Sequence, residues 1–270
     1  MTKPLLMGIV NATPDSFYDG NPQNNLDVLL AKCKDYVDGG VDIFDIGGES
    51  TRPNATPVSA EEEQARVLPL IQAARQKWPQ IPVSLDTVKI PVALEGLKAG
   101  VSIINDVSGT PDKEMFKIVK DFNAQIVVMH TRGTPQNMQT MTDYTDLLGE
   151  IKDFLARKID EAVSCGIARQ NVIIDVGFGF AKTREQNYEL LKHLSFFKDM
   201  GVRMLVGLSR KTFLAQKREL PPKRKAQTLA ANLVALQGGA DILRVHDVKD
   251  TRKIMDFYQE LEGAKGARFI

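Results

Sequence analysis

Eight short apolar runs recur along the chain at fairly even intervals, each followed by a stretch with helical spacing. The runs are Leu5–Val10, Ile43–Ile46, Pro82–Leu85, Ser102–Asn105, Gln125–Met129, Val172–Asp175, Arg203–Gly207 and Asp241–Val245. They are apolar throughout instead of alternating with polar residues, the pattern of parallel strands buried on both faces. Between them, Val67, Leu70, Ile71 and Ala74 fall on one face of a helix predicted over Ser59–Trp78. Ser59 and Glu62 are spaced as a capping box at its start. Leu147, Ile151, Phe154, Leu155 and Ile159 make a similar stripe in what reads as the longest helix. Gly39–Gly40, Gly100, Gly166 and Gly238–Gly239 stand where helices should stop. Eight strands alternating with about eight helices, with no linker or low-complexity break, predict one (β/α)8 TIM barrel over residues 1–270, in preference to a doubly wound sheet.

Composition narrows the partners. A chain of 270 residues that is 43% apolar can bury a sizeable core without disulfides. The net charge of +1 gives no overall basic field for nucleic acid or an anionic membrane. Cys33 and Cys165 have no metal-ligand spacing and read as two reduced, buried thiols. The apolar stretch near the start breaks at Asn11 and Pro14, too short for a secretory signal, and no run reaches membrane-spanning length. The expectation is a cytoplasmic protein acting on small molecules.

In such a barrel the chemistry sits at the C-terminal ends of the strands, and here nearly every predicted strand runs into a polar residue. They are Asn11, Asp45, Asp86, Asn105–Asp106, His130, Asp175, Ser209–Arg210–Lys211, and the set Arg244, His246 and Asp247. Each alone has an ordinary explanation, because strands stop where polar residues begin and acidic groups cap helices. Together they describe a rim suited to a polar heterocycle and an anion. Arg244 and His246 are two residues apart and so share a face. With Lys211 beside them they are placed to hold a phosphate or pyrophosphate leaving group; the alternative is that Arg244 bridges Asp241 or Asp247. Two loops, Thr13–Gly20 and Ser50–Asn54, mix proline, hydroxyls and large side chains as barrel lids do, or as ordinary surface turns do.

The segments carrying these residues resemble the dihydropteroate synthase family. The strings are MGIVNATPDSFYDG at Met7–Gly20, DIGGESTRP at Asp45–Pro53, SLDT at Ser84–Thr87, NDVSG at Asn105–Gly109, MH at Met129–His130, DVGFGFAKT at Asp175–Thr183, GLSRKTF at Gly207–Phe213 and RVHDV at Arg244–Val248. They occur in family order over nearly the whole chain. The resemblance implies condensation of 7,8-dihydropterin-6-ylmethyl pyrophosphate with p-aminobenzoate, through early C–O cleavage to a resonance-stabilised pterin cation.

The same resemblance implies roles for individual residues. Asp175 would accept the guanidine-like edge of the pterin, with Asp86 and Asn105 as further pterin contacts. Lys211 would touch both pterin and p-aminobenzoate. Arg244 would lie over the pterin face and reach the pyrophosphate. His246 and Asn11 would meet the pyrophosphate and Mg2+, Asn11 as a neutral oxygen ligand. Phe17, Thr51, Arg52, Pro53 and Phe180 would bound the p-aminobenzoate slot, and Asp19 would stabilise the transient cation. The family also implies a homodimer formed through the later helices, for which Leu229, Leu233, Val234 and Leu236 of the predicted helix Lys225–Gln237 offer apolar surface.

The sequence departs from the family pattern at Asn21, Asn54, Val176 and Ala181, and in the string after His130, none of them a residue assigned to chemistry. Two other readings compete. A pterin methyltransferase on a similar barrel should lack the ESTRP loop and the SRK and RVH sets, both present here. A degenerate binding homologue should have lost some of Asn11, Asp175, Lys211, Arg244 or His246, all retained. A metal hydrolase is disfavoured by three histidines that form no ligand pair, and His193 reads as a surface residue.

Overall fold

The computed structural model describes residues 3–13, 22–50, 57–110, 112–216 and 219–263, with the side chains of 22–25 excepted. Its eight parallel strands close into a barrel in sequence order, β1 (Leu5–Asn11), β2 (Ile43–Gly47), β3 (Val83–Asp86), β4 (Ile103–Asp106), β5 (Gln125–Met129), β6 (Val172–Asp175), β7 (Arg203–Val206) and β8 (Ile242–Val245). The predicted strands therefore hold to within a residue. β7 ends at Val206, so Ser209–Lys211 belong to the loop beyond it. Helices α1 (Pro22–Asp38), α2 (Ala60–Lys77), α3 (Ile90–Lys98), α4 (Lys113–Asp121), α5 (Leu147–Ser164), α6 (Arg184–Lys192), α7 (Lys225–Gln237) and α8 (Val248–Gly263) alternate with the strands.

Strand parity divides the core. The positions facing the helices, such as Phe44, Leu85, Ile104 and Leu243, join one large cluster with the inner helix faces, including Val67, Leu70, Ile71 and Ala74 of α2. The opposite parity forms a separate plug inside the barrel, made of Met7, Ile43, Ile103, Val127, Ile173, Leu205 and Ile242. Two residues further along, the same inward parity turns polar. Ile43 is followed by Asp45, Ile103 by Asn105, Ile173 by Asp175 and Ile242 by Arg244. The register makes Asp86 and Asn105 neighbours on adjacent strands and sets Met129 beside Asp175. The plug closes the bottom of the barrel, and the polar layer forms the floor of its mouth.

Helix ends follow local chemistry, with two differences from expectation. Ser59 Oγ accepts from Glu62 N, but the Glu62 carboxylate pairs with Arg66 instead of returning to the cap. The reciprocal capping box is at α6, where Thr183 and Gln186 satisfy one another. In α5, which matches α2 at 18 residues, Leu147, Ile151, Leu155 and Ile159 are buried while Phe154 is half-buried against the His130 ring. Gly100 and Gly166 end their helices at φ 95° and 94°, which a side chain would resist. No helix among the described residues is long and apolar enough to cross a membrane.

Candidate active site

A cavity of about 1310 Å³ opens at the C-terminal mouth of the barrel. Asn11, Asp86, Asn105, Asp175, Phe180, Lys211, Arg244 and His246 all line it, so the structure brings together every predicted site residue that it describes. Asp19, Phe17, Thr51, Arg52 and Pro53 lie outside the described residues, as do Asn21 and Asn54.

The floor is organised by Arg244. Its Nε donates to Asp45 Oδ2 at 2.6 Å and its Nη2 to Asp86 Oδ2. Neither expected alternative partner is used. Asp241 instead accepts from Met204 N at 2.8 Å, and Asp247 is gripped by Arg210 through two bonds of 3.1 and 2.8 Å. Asp45 is fully buried and also accepts from Ser84 Oγ at 2.7 Å. Burial works against the Arg244 charge, but Asp45 and Asp86 outweigh it and hold the guanidinium more firmly protonated than usual. Burial pushes the Asp86 carboxyl up to about 7, against the pull of Arg244. Asp86 Oδ1 is buried with no hydrogen-bond partner among the described residues. A carboxylate oxygen so placed is strongly under-solvated and ready for a donor from a ligand.

Asp175 faces the same space from β6. Burial raises its carboxyl too, while the Gly177 amide, donating to Oδ1 at 2.7 Å, favours the charged form. The register places Asn105 between the two acids, its amide 3.5 Å from Asp45 Oδ1. Asp86, Asn105 and Asp175 thus present acceptors along one side of the cavity, which suits a flat heterocycle with several N–H donors.

Lys211 and His246 add to the lining. Lys211 lies over the Phe180 ring, 4.3 Å from its centroid, so one side chain joins the apolar wall to the acids whose fields it reaches. Phe180 packs with Met129 and Met138. His246 lies just past β8 and meets Ser209 Oγ through its own amide at 3.2 Å and through Nδ1 at 2.9 Å. Asn11 stands half-buried at the end of β1. Among the described residues no group of three or more His, Cys, Asp or Glu could hold a metal.

His130, like Asp45, Asp106 and Asp247, is a rim residue that does not line this cavity. It is buried, and burial with nearby Lys182 and Arg132 pushes its ring down to about 2, so it is neutral. Its Nδ1 lies 3.0 Å from Lys182 Nζ. Lys182, Ser209 and Asp45 are the residues that sequence reasoning left without a role. Asp45 carried a signal, since a charge inside the buried run IFDIG must find a partner. The two cysteines are free, with Cys33 buried and Cys165 partly so. His193 is exposed.

A family model described as pterin binding enzyme matches residues 7–246. A dihydropteroate synthase from Synechocystis sp. is 45% identical over 255 residues, covering 93% of this chain and 88% of its own. The crystal structure of a dihydropteroate synthase from Clostridium difficile in the presence of pteroic acid superposes with a TM-score of 0.90 at 40% identity, over 96% of this chain and 97% of that one. The Yersinia pestis dihydropteroate synthase, solved as a sulfonamide drug complex, gives 0.91 at 38% identity over 97% and 95%.

Proposed function

The chain belongs to the dihydropteroate synthases of the pterin-binding enzyme family, and from that premise we propose how its residues divide the work. It condenses 7,8-dihydropterin-6-ylmethyl pyrophosphate with p-aminobenzoate to give 7,8-dihydropteroate and pyrophosphate. The observation that carries the division is the pair of buried acids at the floor, Asp175 and the half-satisfied Asp86, with Asn105 between them. They take the N–H groups of the pterin edge. Arg244, fixed from below by Asp45 and Asp86, lies against the ring and toward the pyrophosphate.

The methylene C–O bond breaks with its electron pair leaving on pyrophosphate. The developing charge is met by Arg244 and by His246, with Asn11 at the same end of the cavity. The acids below stabilise the cation left on the pterin, and Asp19 is assigned to the same task. The amine of p-aminobenzoate then forms the C–N bond and releases a proton. Phe180 and the stem of Lys211 form the described wall of its slot, to which Phe17, Thr51, Arg52 and Pro53 are assigned as the remainder. The sulfonamide held by the Yersinia pestis relative points to the same slot as a drug site here.

Asn11 offers a cation one neutral amide oxygen in this cavity. That fits Mg2+ held chiefly by pyrophosphate oxygens and water. When bound, it would offset charge on the leaving group. We also assign a homodimer. On α7, Leu229 and Leu233 are half-buried and Val234 is exposed, while Phe257 and Leu261 are exposed on the adjacent α8. Leu236 turns into the core and does not contribute to that face. A cytoplasmic setting completes the assignment, consistent with two unpaired cysteines. Purified protein given both substrates and Mg2+ should form a product with the mass of dihydropteroate. Absence of that product, or its formation without the pterin pyrophosphate, would overturn the reading.

A further inference from the structure

Lys182 is only 4% exposed, yet it reaches the wall of the cavity from the loop between β6 and α6. Burial pushes its amine down to about 7. In the ammonium form its three N–H donors meet three acceptors, each at 3.0 Å, His130 Nδ1 at the end of β5 and the carbonyls of Gly177 and Phe180 in its own loop, so all are engaged within the protein. His130 can accept because its buried ring is neutral.

These bonds converge on two residues of the site. The Gly177 carbonyl receives Lys182 while the Gly177 amide holds Asp175 Oδ1 at 2.7 Å. The Phe180 carbonyl receives Lys182 while the Phe180 ring carries Lys211. The loop between them is not a relaxed one. Gly177 and Gly179 turn the chain at φ of 73° and 78°, which glycine adopts freely, but Ala181 at φ 49° holds a conformation that persists only where surrounding contacts impose it. The β5 and β6 ends are also pressed together, because a Cβ on Gly177 would stand 1.9 Å from the His130 carbonyl oxygen.

We propose that Lys182 is a positioning residue for the condensation, an internal clamp that ties β5 to the β6–α6 loop through His130 and so fixes both the Asp175 carboxylate and the Phe180 ring. The proposal rests on the assignment of Asp175 to the pterin and Phe180 to p-aminobenzoate. One clamp therefore governs two substrate contacts. The lysine acts on them through the backbone of Gly177 and Phe180, with its own N–H groups engaged within the protein.

The test uses full-length protein with Lys182→Met, which keeps the length of the stem and removes the donors, together with His130→Leu and His130→Asn. Asparagine keeps an acceptor where Nδ1 stands. Wild-type turnover is the control, and an inert wild type would sink the functional assignment, not the clamp. For Lys182→Met we expect the Kd of free pterin and the KM of p-aminobenzoate each to rise at least tenfold, with kcat at saturation falling less than fivefold. His130→Leu should reproduce that double effect and His130→Asn should stay within threefold of wild type. If Lys182→Met does not fold, the His130 pair alone decides. The clamp is overturned if Kd and KM stay within threefold in Lys182→Met or in His130→Leu, or if kcat alone falls, which would place the lysine on the reacting atoms.

Discussion

Replacing Arg244 by methionine should destabilise the protein in a way that depends on pH. The substitution keeps much of the stem but leaves two buried carboxylates without their shared cation. Asp45 retains Ser84 Oγ at 2.7 Å; Asp86 would retain no partner among the described residues, its Oδ1 being already bare. Removing one member of a buried ion pair costs about 3–5 kcal/mol. Part of that cost is avoided if Asp86 takes up a proton. Its carboxyl already stands at about 7 because burial outweighs the pull of Arg244, and without Arg244 it must rise further. A carboxyl raised above its unfolded value binds more protons in the folded state, so its contribution is present at low pH and is lost as pH climbs to the folded pKa. In wild type that loss ends near 7; in the variant it continues above. The difference between the two proteins should therefore widen from pH 6 to pH 8.5, by about 1.4 kcal/mol for each unit that the Asp86 pKa has risen. Urea unfolding at both pH values, read by far-UV circular dichroism and by the single tryptophan, Trp78, measures it. Asp86→Asn in the Arg244→Met background should remove the widening. A loss below about 1 kcal/mol at pH 8.5, far under the buried-pair cost, would refute the argument, as would a gap equal or smaller there than at pH 6.

Two further outcomes follow from the same geometry. Pterin binding at pH 6 should release close to one proton as Asp86 Oδ1 gains a donor and its pKa falls, and calorimetry in buffers of different ionisation enthalpy would show it; no buffer dependence would contradict the contact. Ala181→Gly should stabilise the protein by about 1 kcal/mol, because alanine at φ 49° is strained where glycine is not, and an unchanged or lower thermal midpoint would show that the loop has relaxed around the alanine.

Much of the barrel was legible because strand burial and helix ends are local matters. Apolar runs such as Gln125–Met129 mark strands wherever they lie in the fold, and glycines such as Gly100 and Gly166 mark helix ends by the φ they permit. What a local reading misses is the identity of partners across the barrel. Arg244 and Asp45 are 199 positions apart, and no spacing rule joins them. Proximity in sequence favoured Asp241 and Asp247, yet each of those acids has its own task, one on the Met204 amide and the other on Arg210. A better rule is available from burial alone. Asp45 in IFDIG and Arg244 in ILRV are opposite charges at inward positions of buried strands, and a buried charge needs compensation; pairing them requires only the closure of the barrel.

The same reasoning explains why the sequence did not join His130 to Lys182. A histidine at a strand end reads as a rim residue, and nothing in the string DVGFGFAKT singles out its lysine. Burial brings the two together. It strips the charge from His130, which makes its Nδ1 an acceptor, and it obliges Lys182 to find that acceptor. Two residues far apart in sequence thus become a single internal bond, and the bond lies under the loop that holds Asp175 and Phe180. The inward parity sets the acids and Arg244 at the floor, whereas the loops beyond the strand ends must be held by contacts that do not touch substrate. In this barrel Arg210 with Asp247 holds the loop of Lys211 against that of His246, and Lys182 with His130 holds the loop of Phe180. Substitutions in these ties should therefore reach the chemistry through the shape of the cavity, with its charge left in place.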